Sequence, residues 1–374
     1  MGKPLRVGVI SAHWGMVAHL PAWHALEGVE VHAVCTSRRE TAEAAKAQYG
    51  LKRAYWDHAE MAADPDLDII DVGTRPDLRR DMVIAALAQG KHVFAAANFA
   101  ANIAAAREMR DAAKAAGKVV VLDSTLAEAP AHRQARRLIE EGFLGTPQTV
   151  ATRLMISLFN GPKPIGDDWR WFGNRAHGAS AMRNLGTHSL HLLVSLLGPV
   201  ASVDADARIA IPEWNFPNGD RVVTEVEDTA HLLLRFENGV IGTAALGWSS
   251  PGLLGWRMEL GGDRGTIMTR MEGGWFPSGP DIELWTGRDA EPLKQQQLDP
   301  ELVDSPGLNF PEDGAYPPQT RDIALVMRGM VDEIRGQGRG QPDVDRAFHV
   351  EAVLEAARIA VAERRRVDVA GIEG

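Results

Sequence analysis

The chain has 374 residues, of which 45% are apolar and 24% are charged, so it is long enough for two domains with substantial buried cores. Its formal net charge of -10 argues against general binding to nucleic acid or to anionic membranes. The single cysteine, Cys35, excludes a disulfide framework. The opening stretch MGKPLRVGVI lacks the apolar core of a signal peptide, and no apolar run reaches the length of a membrane span, so we expect a cytoplasmic protein.

Strands and helices alternate along the first third of the chain. The predicted strands are nearly continuous apolar runs, as in a sheet buried on both faces: LRVGVI, VEVHAVC, LDIIDVG, HVF and KVVVLDS. Helices are predicted between them at residues 16–26, 39–49, 78–89 and 102–116, and Gly50 and Gly117 end two of these helices. This alternation predicts an α/β Rossmann domain with a doubly wound parallel sheet over residues 1–123.

From residue 147 onward the pattern changes to extended runs separated by glycine. These runs are TVATRLMIS, VASVDADARIA, DTAHLLLRF, GVIGTAALGWS, WRMELGG and GTIMTRM. Helices are sparse and are predicted at residues 186–197, 319–335 and 348–363. We therefore predict a second, α+β domain over residues 124–374 with a large open, mainly antiparallel sheet. Its closing helix, residues 348–363, is a candidate to pack back on the first domain.

The turn after the first strand occupies the place of a dinucleotide-binding loop. Such loops carry G-x-G-x-x-G, so that the backbone can approach a pyrophosphate at a helix N-terminus. Only one glycine remains here, one place from the expected third glycine, in the sequence Ser11, Ala12, His13, Trp14, Gly15 and Met16. The position between a strand and a helix makes these six residues candidate cofactor contacts, with an ordinary βα turn as the alternative.

The end of the second strand bears on which nicotinamide cofactor is bound. NAD sites usually place Asp or Glu there, to accept a hydrogen bond from the ribose 2′-hydroxyl. This strand continues instead into Ser37, Arg38 and Arg39, whose hydroxyl and guanidinium groups suit a 2′-phosphate. We therefore predict NADP, keep NAD as an alternative, and note that the two arginines also suit a solvated helical turn. Residues after the next two strands complete the candidate cofactor contacts: Thr74, Arg75 and Asn98.

The most specific motif is GASAMRNLGTHSLH at residues 178–191. It resembles the pattern GGG-x-x-x-D-x-G-x-H-x-x-D of the glucose–fructose oxidoreductase, inositol dehydrogenase and rhizopine-catabolism (Gfo/Idh/MocA) family. Gly186 and His188 match this pattern, whereas Asn184 and His191 stand where Asp is usual. GKHVF at 90–94, the stretch EDT at 227–229 with LLLRFENGVIGT after it, and the final helical stretch extend the resemblance over essentially the whole chain. The resemblance implies an NAD(P)-dependent oxidoreductase that forms a homodimer or homotetramer through its second, substrate-binding domain.

One motif of the resembled family is missing. In the family, the strand that matches HVF is followed by Glu-Lys-Pro, and the lysine contributes to proton transfer or substrate orientation. Aligned without gaps, Ala96, Ala97 and Asn98 occupy those three places. Because alanine can neither donate nor accept a hydrogen bond, the chemistry either has moved to other residues or is lost.

His188 is the best remaining acid/base, because histidine titrates near neutral pH. Asn184 lies four residues earlier, on the same face of a helix, and can orient a hydroxyl group without relaying its proton. His191 also lies on that face, where a core histidine is the favoured interpretation. Candidate substrate contacts that would suit a sugar pocket, or equally a surface loop with core aromatics, are Lys163, Trp169, Arg170, His177, Arg183 and His191. We predict no metal site, because His188 and His191 lack a nearby Cys or acidic partner.

These observations predict an NAD(P)-dependent dehydrogenase or reductase acting on a small carbohydrate-like molecule. The reacting group would be a secondary hydroxyl or ketone of a sugar, polyol, glycoside or related cyclic compound. The rival hypothesis is a catalytically reduced NAD(P)-binding regulatory protein of the same fold. A third is elimination or glycoside hydrolysis through transient oxidation. His188 favours an enzyme, whereas Ala97 favours the regulatory protein.

Overall fold

The computed structural model describes residues 3–11, 13–159, 166–250, 252, 254–273, 276–310 and 316–374. Two candidate site residues, Ala12 and Lys163, lie outside the described residues. The chain divides into two compact units, one of residues 1–125 and 305–348 and the other of residues 126–304 and 349–374. The first unit therefore includes a late stretch, 305–348. The predicted domain boundary at residue 123 had placed this stretch in the second domain.

The first unit is built on a six-stranded parallel sheet. Its strands are β1 (Leu5–Ile10), β2 (Val29–Cys35), β3 (Arg53–Tyr55), β4 (Ile69–Val72), β5 (His92–Ala95) and β6 (Val120–Leu122). They are ordered β3-β2-β1-β4-β5-β6, and each neighbouring pair is parallel. In this order the chain reverses direction across the sheet between β1 and β4, which is the ligand-binding point of doubly wound folds. The predicted Rossmann fold is confirmed.

The helices of this region connect successive strands. They are α1 (Leu20–His24), α2 (Arg39–Tyr49), α3 (His58–Ala62), α4 (Pro76–Ala88) and α5 (Ile103–Ala116). The predicted helix at 39–49 agrees with α2 at both ends, and Gly50 ends it with a φ of 65°. Asn102 begins α5 as its cap, because its side chain accepts a hydrogen bond from the backbone of Ala105. The predicted helix at 16–26 instead starts as a π-helical turn, Gly15–His19, that continues into α1.

The second unit is built on a large sheet. Its strands, together with a separate hairpin of β9 and β10, are β7 (Pro147–Met155), β8 (Val200–Arg208), β9 (Glu213–Asn215), β10 (Arg221–Val223), β11 (Thr229–Phe236), β12 (Ile241–Gly247), β13 (Gly255–Gly262), β14 (Gly265–Met271), β15 (Glu283–Arg288), β16 (Lys294–Gln296) and β17 (Val367–Asp368). The order is β16-β15-β14-β13-β7-β12-β11-β8-β17, and among the described residues every pair is antiparallel except β7 with β12. The predicted open, mainly antiparallel sheet is therefore confirmed.

Around β11, one face of this sheet is covered and the other is exposed. Along β11 exposed and buried residues alternate, which is the pattern of a sheet with a single packed face. The helices after the first unit's α5 are α6 (Pro130–Glu140), α7 (Ala181–Leu197), α8 (Pro300–Asp304), α9 (Thr320–Ile334), α10 (Val344–Glu363) and α11 (Ala370–Glu373). Of these, α7 packs on β7, β11 and β12. Among the described residues, no helix combines the length and the apolar character that a bilayer span requires.

Helix α9, in the late stretch, packs on the Rossmann sheet. Helix α9 buries Ile323, Met327 and Met330 in the same core as Val9 and Trp23, on the α1 face of the sheet. The opposite face is covered by α4 and α5, in a separate core. Helices on both faces explain why the central strands are mostly apolar.

Candidate functional site

The turn after β1 is held together by the hydroxyl group of Ser11. This hydroxyl donates to the carbonyl of Gly73 over 3.0 Å and accepts from the backbone N–H groups of His13, at 3.2 Å, and Gly15, at 3.1 Å. A Cβ on Gly15 would lie 2.6 Å from the Cβ of Ser11, and a Cβ on Gly73 would lie 2.9 Å from the Cα of Gly15. The two segments therefore touch through backbone atoms, which is what glycine provides in a dinucleotide-binding turn.

A buried network of charged groups lies beside this turn. His19 sits between two carboxylates: its Nδ1 is 2.9 Å from Oδ1 of Asp71, on β4, and its Nε2 is 3.0 Å from Oδ2 of Asp123, just after β6. Two indole groups donate to the same carboxylates, Trp23 to Asp71 at 2.7 Å and Trp14 to Asp123 at 3.2 Å. The side chains of His19 and Asp71 are fully buried, and that of Asp123 is 5% exposed.

His19 is a stable imidazolium in this environment. Burial alone would lower the pKa of His19, but Asp71 and Asp123 outweigh that effect and raise it to about 10. Both ring nitrogens then carry protons, and each donates to a carboxylate. The sequence pattern did not predict this network. The available signal was Asp71 between the apolar residues of IIDV at 69–72, since a buried acid requires a partner.

The end of β2 presents hydrogen-bond donors. The hydroxyl of Thr36 is directed locally, donating to the carbonyl of Arg38 at 2.9 Å and lying 2.6 Å from the hydroxyl of Thr41. Ser37 and Arg38, by contrast, are exposed. The guanidinium of Arg39 lies over the ring of Trp56, 5.2 Å from its centre. The chemistry of this donor set fits a phosphate group.

The loops after β4 and β5 are linked by an arginine that the sequence analysis did not single out. Arg79, on α4, is only 1% exposed. Its guanidinium donates to the carbonyl of Thr74, in the first loop, and to the carbonyl of Phe99, in the second, at 3.4 Å. Arg75, next to Thr74, pairs with Asp77 at 3.2 Å. Asn98 is fully buried in the second loop.

In the second unit, α7 carries the candidate acid/base. Ser180 and Asn184 form a reciprocal cap at its start: the hydroxyl of Ser180 accepts from the backbone of Arg183 at 3.1 Å, and Oδ1 of Asn184 accepts from the backbone of Ser180, also at 3.1 Å. His188 is half-buried, with its ring centre 4.9 Å from that of Phe276 in an edge-to-face arrangement. His191, one turn further along, is 1% exposed.

The other candidate substrate contacts have local partners. Arg183 pairs with Glu351 of α10 at 2.6 Å, which ties α7 to α10. Arg170 pairs with Asp167 at 2.8 Å and with Asp220 at 3.0 Å.

Trp169 and His177 lie with Arg170 in one segment, whose aromatic rings form a cluster. The ring of Trp169 is 5.2 Å from that of Phe172, and the ring of His177 is 6.5 Å from that of Trp171. Phe172 in turn packs against Trp248 at 5.8 Å. Trp169 and His177 thus contact one aromatic cluster, while Arg170 of the same segment pairs with two aspartates. Within the described part of the chain, no group of three His, Cys, Asp or Glu side chains is placed to hold a metal ion.

Two family models match successive parts of the chain. Residues 5–124 match the model of an oxidoreductase family with an NAD-binding Rossmann fold, and residues 132–268 match that of the GFO/IDH/MocA C-terminal domain. The chain is 28% identical over 236 residues to D-apiose dehydrogenase from Paraburkholderia graminis, covering 62% of this chain and 57% of that protein. It is 25% identical over 254 residues to levoglucosan dehydrogenase from Pseudarthrobacter phenanthrenivorans, covering 64% of each. The aligned part thus spans less than two thirds of either relative.

Solved structures match over nearly the full chain. An NAD binding oxidoreductase from Klebsiella pneumoniae superposes with a TM-score of 0.84 at 26% identity, over 98% of this chain and 99% of that one. Levoglucosan dehydrogenase in complex with NADH and L-sorbose superposes with a TM-score of 0.86 at 22% identity, over the same shares, and shows the likeness of fold. The two family models together match more than half of the chain, which therefore belongs to the Gfo/Idh/MocA family of oxidoreductases.

Proposed function

We propose that this protein is an NAD(P)-dependent dehydrogenase or reductase that transfers a hydride to or from a secondary hydroxyl or ketone of a sugar, polyol, glycoside or related cyclic compound. The observation that carries the proposal is the turn at the β1/β4 switch point, where Gly15 and Gly73 let two backbone segments touch beside a helix start. The names of D-apiose dehydrogenase and levoglucosan dehydrogenase support a carbohydrate-like substrate.

The residues of the first unit fit a nicotinamide dinucleotide. The turn formed by Ser11, Ala12, His13, Trp14, Gly15 and Met16 would hold the pyrophosphate, and Thr74, Arg75 and Asn98 would line the loops after β4 and β5. When bound, the cofactor supplies the hydride acceptor or donor. We further propose a preference for NADP, because Ser37 and Arg38 are exposed donors at the end of β2 and Arg39 lies beside them.

The cofactor preference is tested by titrating the protein with NADPH and with NADH and following nicotinamide fluorescence. Arg38→Ala is expected to weaken NADPH binding about tenfold or more, since a charge-assisted bond to phosphate is lost, and to leave NADH binding unchanged. Equal wild-type affinities for the two cofactors, or equal losses in the variant, would contradict the NADP preference while leaving the enzyme proposal intact.

His188 is proposed as the acid/base. In the oxidative direction its neutral imidazole accepts the proton of the substrate hydroxyl while the carbinol carbon loses its hydride, so the ring must be unprotonated. Edge-to-face packing on Phe276 restricts the orientation of this ring. Because Oδ1 of Asn184 accepts from the backbone of Ser180, the amide NH₂ group is the part of Asn184 that would orient a substrate oxygen. His188 would then carry the proton transfer that Ala97 cannot.

The remaining proposed substrate contacts would also suit a carbohydrate-like molecule. Trp169 offers an aromatic face for sugar C–H groups, and Arg170 and His177 offer donors in the same segment. Lys163, Arg183 and His191 complete the proposed set. We also propose that the protein is a homodimer or homotetramer, which light scattering at several protein concentrations will test.

The enzyme proposal is tested by incubating the protein with NADP or NAD and a panel of sugars, polyols and glycosides, following the absorbance of the reduced nicotinamide. Turnover that is lost in His188→Ala, with unchanged cofactor affinity, is the expected result. Ala97 motivates the second candidate, an NAD(P)-binding regulatory protein. Cofactor binding without turnover across the panel would favour that candidate.

A further inference from the structure

The turn after β1 keeps its shape although two of the expected glycines are missing. Ser11 holds its base, through two backbone N–H groups and the carbonyl of Gly73. Trp14 links the turn to another element, because its indole N–H donates to Asp123, beyond the end of β6. Two strands, β4 and β5, lie between β1 and β6 in the sheet. The indole of Trp14 therefore ties the turn to a distant strand end.

Asp123 is itself held in place. A single oxygen, Oδ2, accepts both the indole N–H of Trp14, at 3.2 Å, and Nε2 of His19, at 3.0 Å. His19 is fixed on its other side by Asp71, whose second donor is the indole of Trp23 at 2.7 Å. Because His19, Asp71 and Trp23 are fully buried and lie in different elements, the carboxylate of Asp123 has little freedom to turn away from Trp14.

The rings add a second constraint on the same side chains. The ring of Trp14 lies edge-to-face against His19, with centres 6.5 Å apart, and His19 lies edge-to-face against Phe94 at 5.2 Å. The aromatic body of Trp14 would keep these contacts if its N–H group were removed. The hydrogen bond to Asp123 and the ring packing can therefore be separated by experiment.

We propose that Trp14 is a positioning residue of the cofactor turn and that Asp123, oriented by His19, is the group that holds it. The hydrogen bond holds the backbone from His13 to Met16 in one conformation. It thereby replaces the order that a glycine-rich loop gains when it fits closely around the pyrophosphate. The inference rests on the proposed function, since that function assigns the turn to the cofactor.

The test compares Trp14→Phe, which removes the N–H group and keeps an aromatic ring, with the wild-type protein. Amide hydrogen exchange of residues 13–16, measured without cofactor, is expected to accelerate about tenfold or more, since a bond to a buried carboxylate is lost. The dissociation constant for NADPH, or for NADH, is expected to rise by a similar factor. In steady-state assays the KM for the cofactor rises while kcat stays within a factor of about two, because the ordered turn contributes to cofactor binding and takes no part in the chemical step.

Trp214→Phe provides the matched control. Trp214 is 1% exposed, lies in the second unit, and its indole nitrogen has no hydrogen-bond partner within the described structure. The same change of side chain there removes packing without removing a hydrogen bond. It is expected to lower the melting temperature and to leave both cofactor affinity and the exchange of residues 13–16 unchanged.

Unchanged exchange at residues 13–16 in Trp14→Phe overturns the inference, whether or not a cofactor binds. So does an equal loss of affinity in both variants, because that is the result of general destabilisation. A wild-type protein that binds neither NADPH nor NADH refutes the proposed function, and the exchange measurement on the cofactor-free protein still decides whether Trp14 orders the turn.

Discussion

Replacing His19 with leucine removes the imidazolium that lies between two buried carboxylates. His19 and Asp71 are fully buried, and His19 is 2.9 Å from Asp71 and 3.0 Å from Asp123. Removing one partner from a buried ion pair leaves an uncompensated charge, which typically costs about 3–5 kcal/mol of unfolding free energy. That is a large share of the about 5–15 kcal/mol by which domains are stable, so we expect His19→Leu to be folded only marginally in its Rossmann unit.

The loss is measured by urea denaturation of His19→Leu and of the wild-type protein, followed by both circular dichroism and tryptophan fluorescence. Two probes are needed because the two compact units need not unfold together. His24→Leu is the control, since His24 lies in α1, directly after the π-helical turn that carries His19, and its side chain is exposed. It is expected to change the unfolding free energy by less than about 0.5 kcal/mol.

The pH dependence gives an independent check on the same reasoning. The pKa of His19 is raised from 6.5 to about 10 in the folded protein. The folded state therefore binds a proton more tightly than the unfolded state, so the stabilisation is fully present below pH 6.5 and is lost as pH rises through about 10. The difference in unfolding free energy between the wild type and His19→Leu should shrink across that interval. A difference below about 1 kcal/mol at neutral pH, or one that stays constant up to pH 10, would refute a charged His19.

Three further outcomes are expected in the first unit. Arg79→Met should weaken NADPH binding about tenfold by fluorescence titration, because two loop carbonyls lose their common donor. Arg79→Lys should keep part of the affinity. Equal losses in the two variants would contradict a role of the guanidinium in linking the loops. Gly73→Ala should lower the unfolding free energy by about 1–3 kcal/mol, because the new Cβ would lie 2.9 Å from a backbone atom. Gly371→Ala, whose Cβ would have no atom within 4 Å, should leave the unfolding free energy unchanged. Equal melting temperatures for the two variants would disprove the close contact. Burial, with smaller effects of nearby acids, raises the pKa of Cys35 to about 12. The thiol should therefore react with iodoacetamide only after unfolding. Rapid labelling of the native protein would show that the thiol is accessible.

The sequence by itself determined the elements whose signals are local. The helix at 39–49 was predicted with its observed ends because Gly50 supplies the positive φ at which a helix stops. The parallel sheet followed from nearly continuous apolar runs, which reflect burial on two faces. The antiparallel sheet followed from extended runs separated by glycine. Where burial is weak the sequence failed: α6 was missed because it buries only small or polar residues, Pro130, Ala131, His132 and Ala135.

The tertiary structure decided which distant residues act together. Asp71 and Asp123 are 52 and 104 residues from His19, and Thr74 and Phe99 are 5 and 20 residues from Arg79. The place of the first turn between a strand and a helix predicted a cofactor site there. It could not show that a buried carboxylate from another strand holds Trp14, because side-chain hydrogen bonds leave no periodic pattern along the chain. The same limit applies to α9: a helix was predicted at 319–335, and only its packing assigned it to the Rossmann core.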